Sequence, residues 1–287
     1  MTSATIASSE RRLIFGLGAT GQSVARWWRQ QGLAFAALDT RVERADDAAA
    51  VADINRDNAA FGDVDAAFVD HCTEMIVSPG VALDHPLIER AREQGCRVRG
   101  DIDLFMEAAQ APVVGITGSN GKSTTTALLG HMLSHAGFDT AVGGNIGEPV
   151  MGLDALGGTG TYVLELSSYQ LERVPRLQLN VAVLLNICAD HLDRHGGMSG
   201  YVAAKKSIFE RVVQGGKAII GMDDQVCRGI SLELMVNSTL SIQDIIPISA
   251  NGRVPGGVFI DGTILVDDLE NRQTPIVDLA KMQNLPG

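Results

Sequence analysis

The chain has 287 residues, 45% of them apolar and 20% charged, with a formal net charge of −11. That length suffices for two domains with cores of their own, and the acidic balance argues against a nucleic-acid partner, since nothing forms a basic stripe. Cys72, Cys96, Cys188 and Cys227 are scattered without CxxC spacing, which argues against a disulfide framework and for free thiols in a reducing cytosol.

Residues 1–10 are small and polar and read as a disordered lead-in. The apolar run after Arg11 and Arg12 is broken by Gly16 and Gly18, so neither a signal peptide nor a membrane span is expected, and a cytoplasmic protein is. Residues 13–15 read as a buried strand, followed by Gly-Leu-Gly-Ala-Thr-Gly at 16–21 and a helix over 23–31. A second strand over 33–38 ends on Asp39, Thr40 and Arg41. Strand, glycine turn, helix, strand and acid make a βαβ unit. Taken alone, GxGxxG with Asp39 at the ribose position suits NAD or FAD, although the same glycines also serve close helix–strand packing. Residues 42–65, rich in Ala, Asp and Arg, read as surface helix and loop. A strand at 75–77 stops on Ser78, Pro79 and Gly80; a helix over 85–93, a strand at 97–99 and a connecting helix over 101–109 follow. Ala111 and Pro112 mark the expected boundary between a domain of 11–110 and one of 111–287.

Beyond that boundary the strand–helix alternation restarts. An apolar run at 111–114 empties into Gly-Ile-Thr-Gly-Ser-Asn-Gly-Lys-Ser-Thr-Thr at 115–125. Glycines let backbone N–H groups approach phosphate oxygens, and the helix that follows adds the positive end of its dipole. ATP or GTP is expected on Gly118, Ser119, Asn120, Gly121, Lys122, Ser123 and Thr124, with Lys122 at the β/γ-phosphates and the Ser123 hydroxyl on Mg²⁺. The spacing departs from the full Walker pattern, because Ile116 fills the first glycine's slot. A dinucleotide reading of the first loop leaves this second loop unexplained, which counts against a simple dehydrogenase.

Continuous apolar runs at 162–166 and 181–185 suit parallel strands covered on both faces. Glu165 stands at the C-terminal end of the first, where open α/β sheets bind ligands, and is a natural Mg²⁺ ligand. His191, clustered with Asp190, Asp193 and His195 after the second run, points to metal or phosphate contact; the spacing is wrong for a closed zinc site. A helix over 201–213 carries Lys205 and Lys206, whose plain reading is a solvated face. A strand at 217–221 and a hairpin over 257–266, turning at Asp261 and Gly262, come last.

Together and in this order these segments resemble the Mur ligases, and within them the branch that adds D-glutamate. The resemblance is carried by 16–21, 39–41, 78–80, 100–105 and 115–125, then by 143–147, 165–171, Asn186, 190–195 and 201–205. It implies an α/β fold: a Rossmann-like UDP-binding domain, then a P-loop central domain with a mostly parallel sheet. The implied activity is an ATP-dependent amide ligase of peptidoglycan precursor synthesis in the bacterial cytoplasm. Its partners would be UDP-N-acetylmuramoyl-L-alanine, ATP and D-glutamate, with no nucleic acid, no membrane insertion and a monomeric state.

The resemblance also assigns roles. Gly18, Ala19, Thr20, Asp39, Thr40 and Arg41 would hold the UDP part of the substrate, walled by Ser78, Pro79 and Gly80. Asn145 and Ser167 would lie at the muramoyl-alanine. Two Mg²⁺ ions would be held by Ser123, Glu165, His191 and Lys205, the last as a CO₂-derived carbamate. The catalytic set would be Lys122, Lys205, His191, Glu165 and Asn145, acting through an acyl phosphate. The family continues beyond Gly287 with further central-domain helices and a D-glutamate-binding domain, so this chain by itself is expected to bind UDP-sugar without turning over.

Overall fold

A computed structural model describes residues 10–45, 54, 58–190, 193 and 195–282. The lead-in expected over 1–10 lies outside them except for Glu10. The chain divides into two compact units. One comprises Met1–Ala109 with Gly147–Ala155 and Arg173–Pro175; the other comprises Gln110–Ile146, Leu156–Glu172 and Arg176–Gly287. Two short segments that follow the phosphate loop in sequence thus belong to the first unit, whereas the sequence reading drew a single boundary near residue 110.

In the first unit, β1 (Arg12–Phe15) is apolar and enclosed after its first residue, as a strand between two parallel neighbours must be. Those neighbours are β2 (Phe35–Asp39) and β4 (Glu74–Val77). With β3 (Ala59–Phe61) and β5 (Arg97–Arg99) the all-parallel order is β3-β2-β1-β4-β5. Strand order reverses at β1, so the sheet's crevice opens at the loop that begins with Gly16. The segment read as surface helix and loop over 42–65 therefore supplies a strand; three residues of Ala-Ala-Phe are too few to show alternation.

Helix α1 (Ala19–Gln30) starts earlier than the expected residue 23. The second half of the glycine motif is its first turn, laid so closely on the loop that a Cβ at Gly21 would stand 2.0 Å from the Gly16 carbonyl oxygen. Helix α2 (Pro86–Glu93), capped by the His85 ring nitrogen, delivers Leu87, Ile88 and Ala91 to a core of Leu13, Phe15, Leu38, Met75 and Val77. Helix α3 (Asp101–Ala108) follows. Cys72 and Cys96, expected as free thiols, are joined as a disulfide with Cα atoms 5.3 Å apart. Pairing of β4 with β5 sets Glu74 against Arg97 and so brings the residues just before each strand together.

The second unit is built on β6 (Val113–Thr117), β7 (Thr140–Gly144), β8 (Thr161–Glu165), β9 (Leu179–Leu184) and β10 (Val212–Gly221). Then come β11 (Ile245–Ser249), β12 (Val258–Asp261), β13 (Ile264–Asp267) and β14 (Thr274–Asp278). The order is β14-β13-β12-β11-β10-β9-β6-β8-β7, parallel from β7 to β12 and antiparallel beyond. Helix α4 (Lys122–His135) packs Leu129 and Leu133 on Val114, Ile116, Val163 and Val183. Three further helices are described: α5 (Ser168–Leu171), α6 (Met198–Lys206) and α7 (Gln225–Asn237).

The helix expected over 201–213 is shorter. It ends at Lys206, a 3₁₀ segment covers Ser207–Arg211, and Val212 already pairs with Leu179 as the start of β10. The β-branched pair at 212–213 suits a strand better than a helix end. The expected hairpin is present as β12 and β13, with Gly262 at φ +63° after Asp261. No helix among the described residues is long and apolar enough to cross a membrane.

Candidate functional site

The central strand β6, with β8 on one side and β9 on the other, runs straight into the phosphate loop. Gly121, at φ +78°, turns the chain into α4, a conformation that costs a side chain-bearing residue about 1 kcal/mol. Asn186, two residues beyond β9, staples this loop. Its side chain accepts from Asn120 N (2.8 Å) and donates to Asn120 O (3.1 Å), while its carbonyl accepts from Ser119 N (2.9 Å).

Three of the predicted residues meet at its mouth. The Ser123 hydroxyl donates to Glu165 Oε2 at 2.7 Å, and Asn145 Nδ2 donates to Oε1 of the same carboxylate at 2.8 Å. Glu165 is 2% exposed, and Lys122 Nζ lies back over the loop, donating to the carbonyls of Gly118 and Ser119 at 3.0 Å each. Gly144 lets β7 approach here, since a Cβ would sit 2.4 Å from the Glu165 carbonyl oxygen. Ser123, Thr124 and Asn145 are exposed.

Lys205 and Lys206 separate sharply. Lys206 pairs with Glu233 on the surface, as the plain reading expects. Lys205, 2% exposed, turns inward from α6 to donate to Gly118 O at 2.8 Å, with Thr117 Oγ1 at 3.4 Å and its Nζ 4.8 Å above the Tyr201 ring. Burial, reinforced by the nearby Lys122 charge, pushes its amine down from 10.5 to about 8. A buried amine with a lowered pKa and no carboxylate among its described hydrogen-bond partners is a candidate functional group.

At the first glycine loop, β1, β2 and β4 converge. Gly16 N donates to Leu38 O (2.8 Å) and Ser78 Oγ donates to Gly16 O (2.7 Å). Asp39, 2% exposed, accepts from Leu17 N (2.8 Å) and from the Arg41 guanidinium (2.9 and 2.8 Å). Burial opposes its ionisation, but those hydrogen bonds outweigh burial and hold the carboxyl below its ordinary value. Asp39 thus orients Arg41 and pins the loop, whereas Ala19, Thr40, Arg41 and Gly80 are exposed, and Gly18, Thr20 and Pro79 half-buried. Arg173, from the recruited segment 173–175, donates to the carbonyls of Ser78 (3.2 Å) and Val81 (2.6 Å).

His191 lies outside the described residues. Ser167 spends its side chain on a capping box with Gln170 at the start of α5. His195, read as part of a metal- or phosphate-contacting cluster, is instead enclosed between Ser168 and Glu172. Tyr201 escaped the sequence reading: its hydroxyl lies 3.0 Å from Ser119 Oγ, bracing the phosphate loop from α6. It opens the 201–205 segment that carries the family resemblance, four residues before Lys205 on the same helix face, but that segment was given a role only through Lys205.

Residues 116–243 match the Mur ligase middle domain, and residues 10–100 match the N-terminal domain of MurD-like Mur ligases. The chain is 42% identical over 285 residues to UDP-N-acetylmuramoylalanine–D-glutamate ligase of Caulobacter vibrioides, covering 96% of this chain and 59% of that one. It is 38% identical to the enzyme of the same name from Paramagnetospirillum magneticum, covering 100% and 61%. The chain therefore spans about three-fifths of the length of these relatives. Among solved structures it shares its fold with UDP-N-acetylmuramate:L-alanyl-gamma-D-glutamyl-meso-diaminopimelate ligase from Neisseria meningitides, with a TM-score of 0.60 at 15% identity over 94% of this chain and 85% of that one. With two glycine loops at two sheet switch points and both domain matches in the same order, the chain belongs to the Mur ligase family.

Proposed function

We propose that this chain carries the UDP-substrate and ATP sites of a ligase that joins D-glutamate to UDP-N-acetylmuramoyl-L-alanine in peptidoglycan precursor synthesis. The observation that carries the reading is the Ser123–Glu165–Asn145 bridge at the phosphate loop, with the Lys205 amine buried behind it. An NAD-dependent oxidoreductase gives those four residues nothing to do.

Hydroxyl and carboxylate oxygens beside a phosphate loop are the hard donors Mg²⁺ selects, so Ser123 and Glu165 fit that ion. Lys205 fits the carbamate role, because an amine lowered to about 8 has a sizeable neutral fraction near neutrality, and only the neutral form captures CO₂. His191 and the Lys205 carbamate would complete a second metal site. Bound Mg²⁺ would neutralise charge on the phosphates.

The chain's own groups then position the reactants. Phosphate-loop N–H groups and Lys122 hold the β/γ-phosphates while the L-alanine carboxylate attacks the γ-phosphorus and ADP leaves. Asn145, exposed beside Glu165, is placed to hold the muramoyl-alanine end. The amine of D-glutamate adds to the acyl phosphate, loses a proton, and inorganic phosphate departs. No side-chain nucleophile takes part. In the other unit, Thr20, Thr40 and Arg41 would contact the uridine and diphosphate. The same reading places the protein in the bacterial cytoplasm as a monomer.

The test is a thermal-shift titration of the chain with UDP-N-acetylmuramoyl-L-alanine, with Mg·ATP and with NADH, repeated on Lys122→Ala. Ligand at about a hundred times Kd adds about 2.7 kcal/mol of apparent stability. The expected result is a shift with the first two ligands, loss of the ATP shift alone in the variant, and none with NADH. A shift with NADH alone would overturn the assignment.

A further inference from the structure

We propose that His195 is a positioning residue for the ATP edge: its ring locks the turn leaving the Glu165 strand to Tyr201, and through it to the phosphate loop and Lys205. The proposal rests on reading that edge as the Mg·ATP site.

The His195 side chain is 0% exposed, yet both its nitrogens are engaged. Nε2 lies 3.0 Å from Ser168 Oγ and Nδ1 lies 2.8 Å from Glu172 Oε1. These partners are the first residue of α5 and the residue that ends it, so one ring spans the whole of a four-residue helix. A helix that short does not hold itself in water. It begins three residues after Glu165, so whatever fixes α5 fixes the exit of the strand that presents the carboxylate.

The ring reaches the other wall as well. It stacks on Tyr169, with centroids 5.3 Å apart and planes 11° off parallel, and it lies 5.4 Å from the Tyr201 ring. Tyr201 in turn touches Ser119 of the phosphate loop and underlies the Lys205 amine. The imidazole therefore adds a link between the exit of the Glu165 strand and Tyr201, beside the direct bonds of Ser123 to Glu165 and of Lys205 to Gly118.

An ionised carboxylate only accepts, so Nδ1 carries a proton and donates to Glu172; in a neutral imidazole Nε2 then accepts from the Ser168 hydroxyl. Serine, histidine and glutamate in this sequence also form the relay of many hydrolases. Ser168 is 3% exposed, however, so no acyl group can reach its oxygen, and the relay acts as a strut. An apolar ring of similar size would fill the space but leave the Ser168 hydroxyl without its partner and hold no fixed angle.

The test measures binding of a non-hydrolysable ATP analogue by the 287-residue chain as Mg²⁺ is titrated, with urea unfolding followed in parallel. His195→Ala is expected to raise the Mg²⁺ midpoint on the order of ten-fold, since groups that orient metal ligands carry effects of that size. His195→Asn, which keeps reach toward Glu172, and His195→Gln, which keeps reach toward Ser168, should each recover part of it. Ser168→Ala should move the midpoint in the same direction. A purely structural role would lower the urea midpoint and leave the Mg²⁺ midpoint of the folded variants where it was, overturning the proposal. If His195→Ala fails to fold, the Asn, Gln and Ser168→Ala variants decide it by the same criterion. A wild-type chain that binds no analogue at any Mg²⁺ concentration overturns the ATP-site reading and this proposal with it; wild-type binding with unmoved variants overturns this proposal alone.

Discussion

Replacing Lys205 with methionine should stabilise the ligand-free protein at neutral pH, and progressively less as the pH rises. The amine is pushed from 10.5 to about 8, first by burial and then by Lys122, which corresponds to about 3 kcal/mol against the charged form. Methionine fills a similar volume but gives up the bond to the Gly118 carbonyl, a loss of about 1 kcal/mol. The net gain is therefore about 2 kcal/mol, or about 5 °C in Tm for a domain of this size. Because the folded pKa lies below the unfolded one, the penalty is complete below about pH 8 and fades as pH climbs toward about 10.5. Melting both proteins in bicarbonate-free buffer from about pH 7 to about pH 10 reads this directly, since titration of all other groups cancels in the difference. A methionine variant no more stable than wild type at neutral pH, or a Tm gap that stays constant across the range, would refute the reasoning. Added bicarbonate should then change the wild-type melt and leave the variant's alone, as carbamate formation requires the amine.

Two further outcomes follow from the first unit. Burial raises the Asp101 carboxyl to about 6, with Asp103 adding to it and the Asp101 and Ile102 N–H groups opposing. The fold thus binds that proton more tightly than the unfolded chain, and stability falls as pH rises from about 3.8 to about 6, a change of about 3 kcal/mol. Asp101→Asn should melt higher than wild type near neutrality and level with it near pH 4; an equal gap at both would be evidence against the assignment. The Cys72–Cys96 bridge closes a loop of 24 residues in sequence separation, a constraint of about 3 kcal/mol. Reductant should lower the wild-type Tm to that of Cys96→Ser, and a wild-type melt indifferent to reductant would show that the bridge contributes nothing.

What the sequence determined was local. A strand that breaks into glycines before a helix is legible because φ, ψ and N–H direction are set by neighbouring residues, so both glycine loops, at 16–21 and 118–121, stand where the pattern put them. Glu165 at a strand end was legible for the same reason. Tertiary structure decided everything that depends on sheet order. Lys205 and Lys206 are adjacent and chemically identical, yet one faces Glu233 and the other is enclosed under residues nearly ninety positions away, because α6 packs against the β6 loop. His195 was read as part of a cluster for metal or phosphate contact, yet its two nitrogens meet Ser168 and Glu172, an arrangement only the fold sets. Cys72 met Cys96 because β4 and β5 are neighbours in the sheet. A chain encodes its turns residue by residue, but which distant side chains share a dry volume is settled by packing of whole elements, where burial outweighs any local preference.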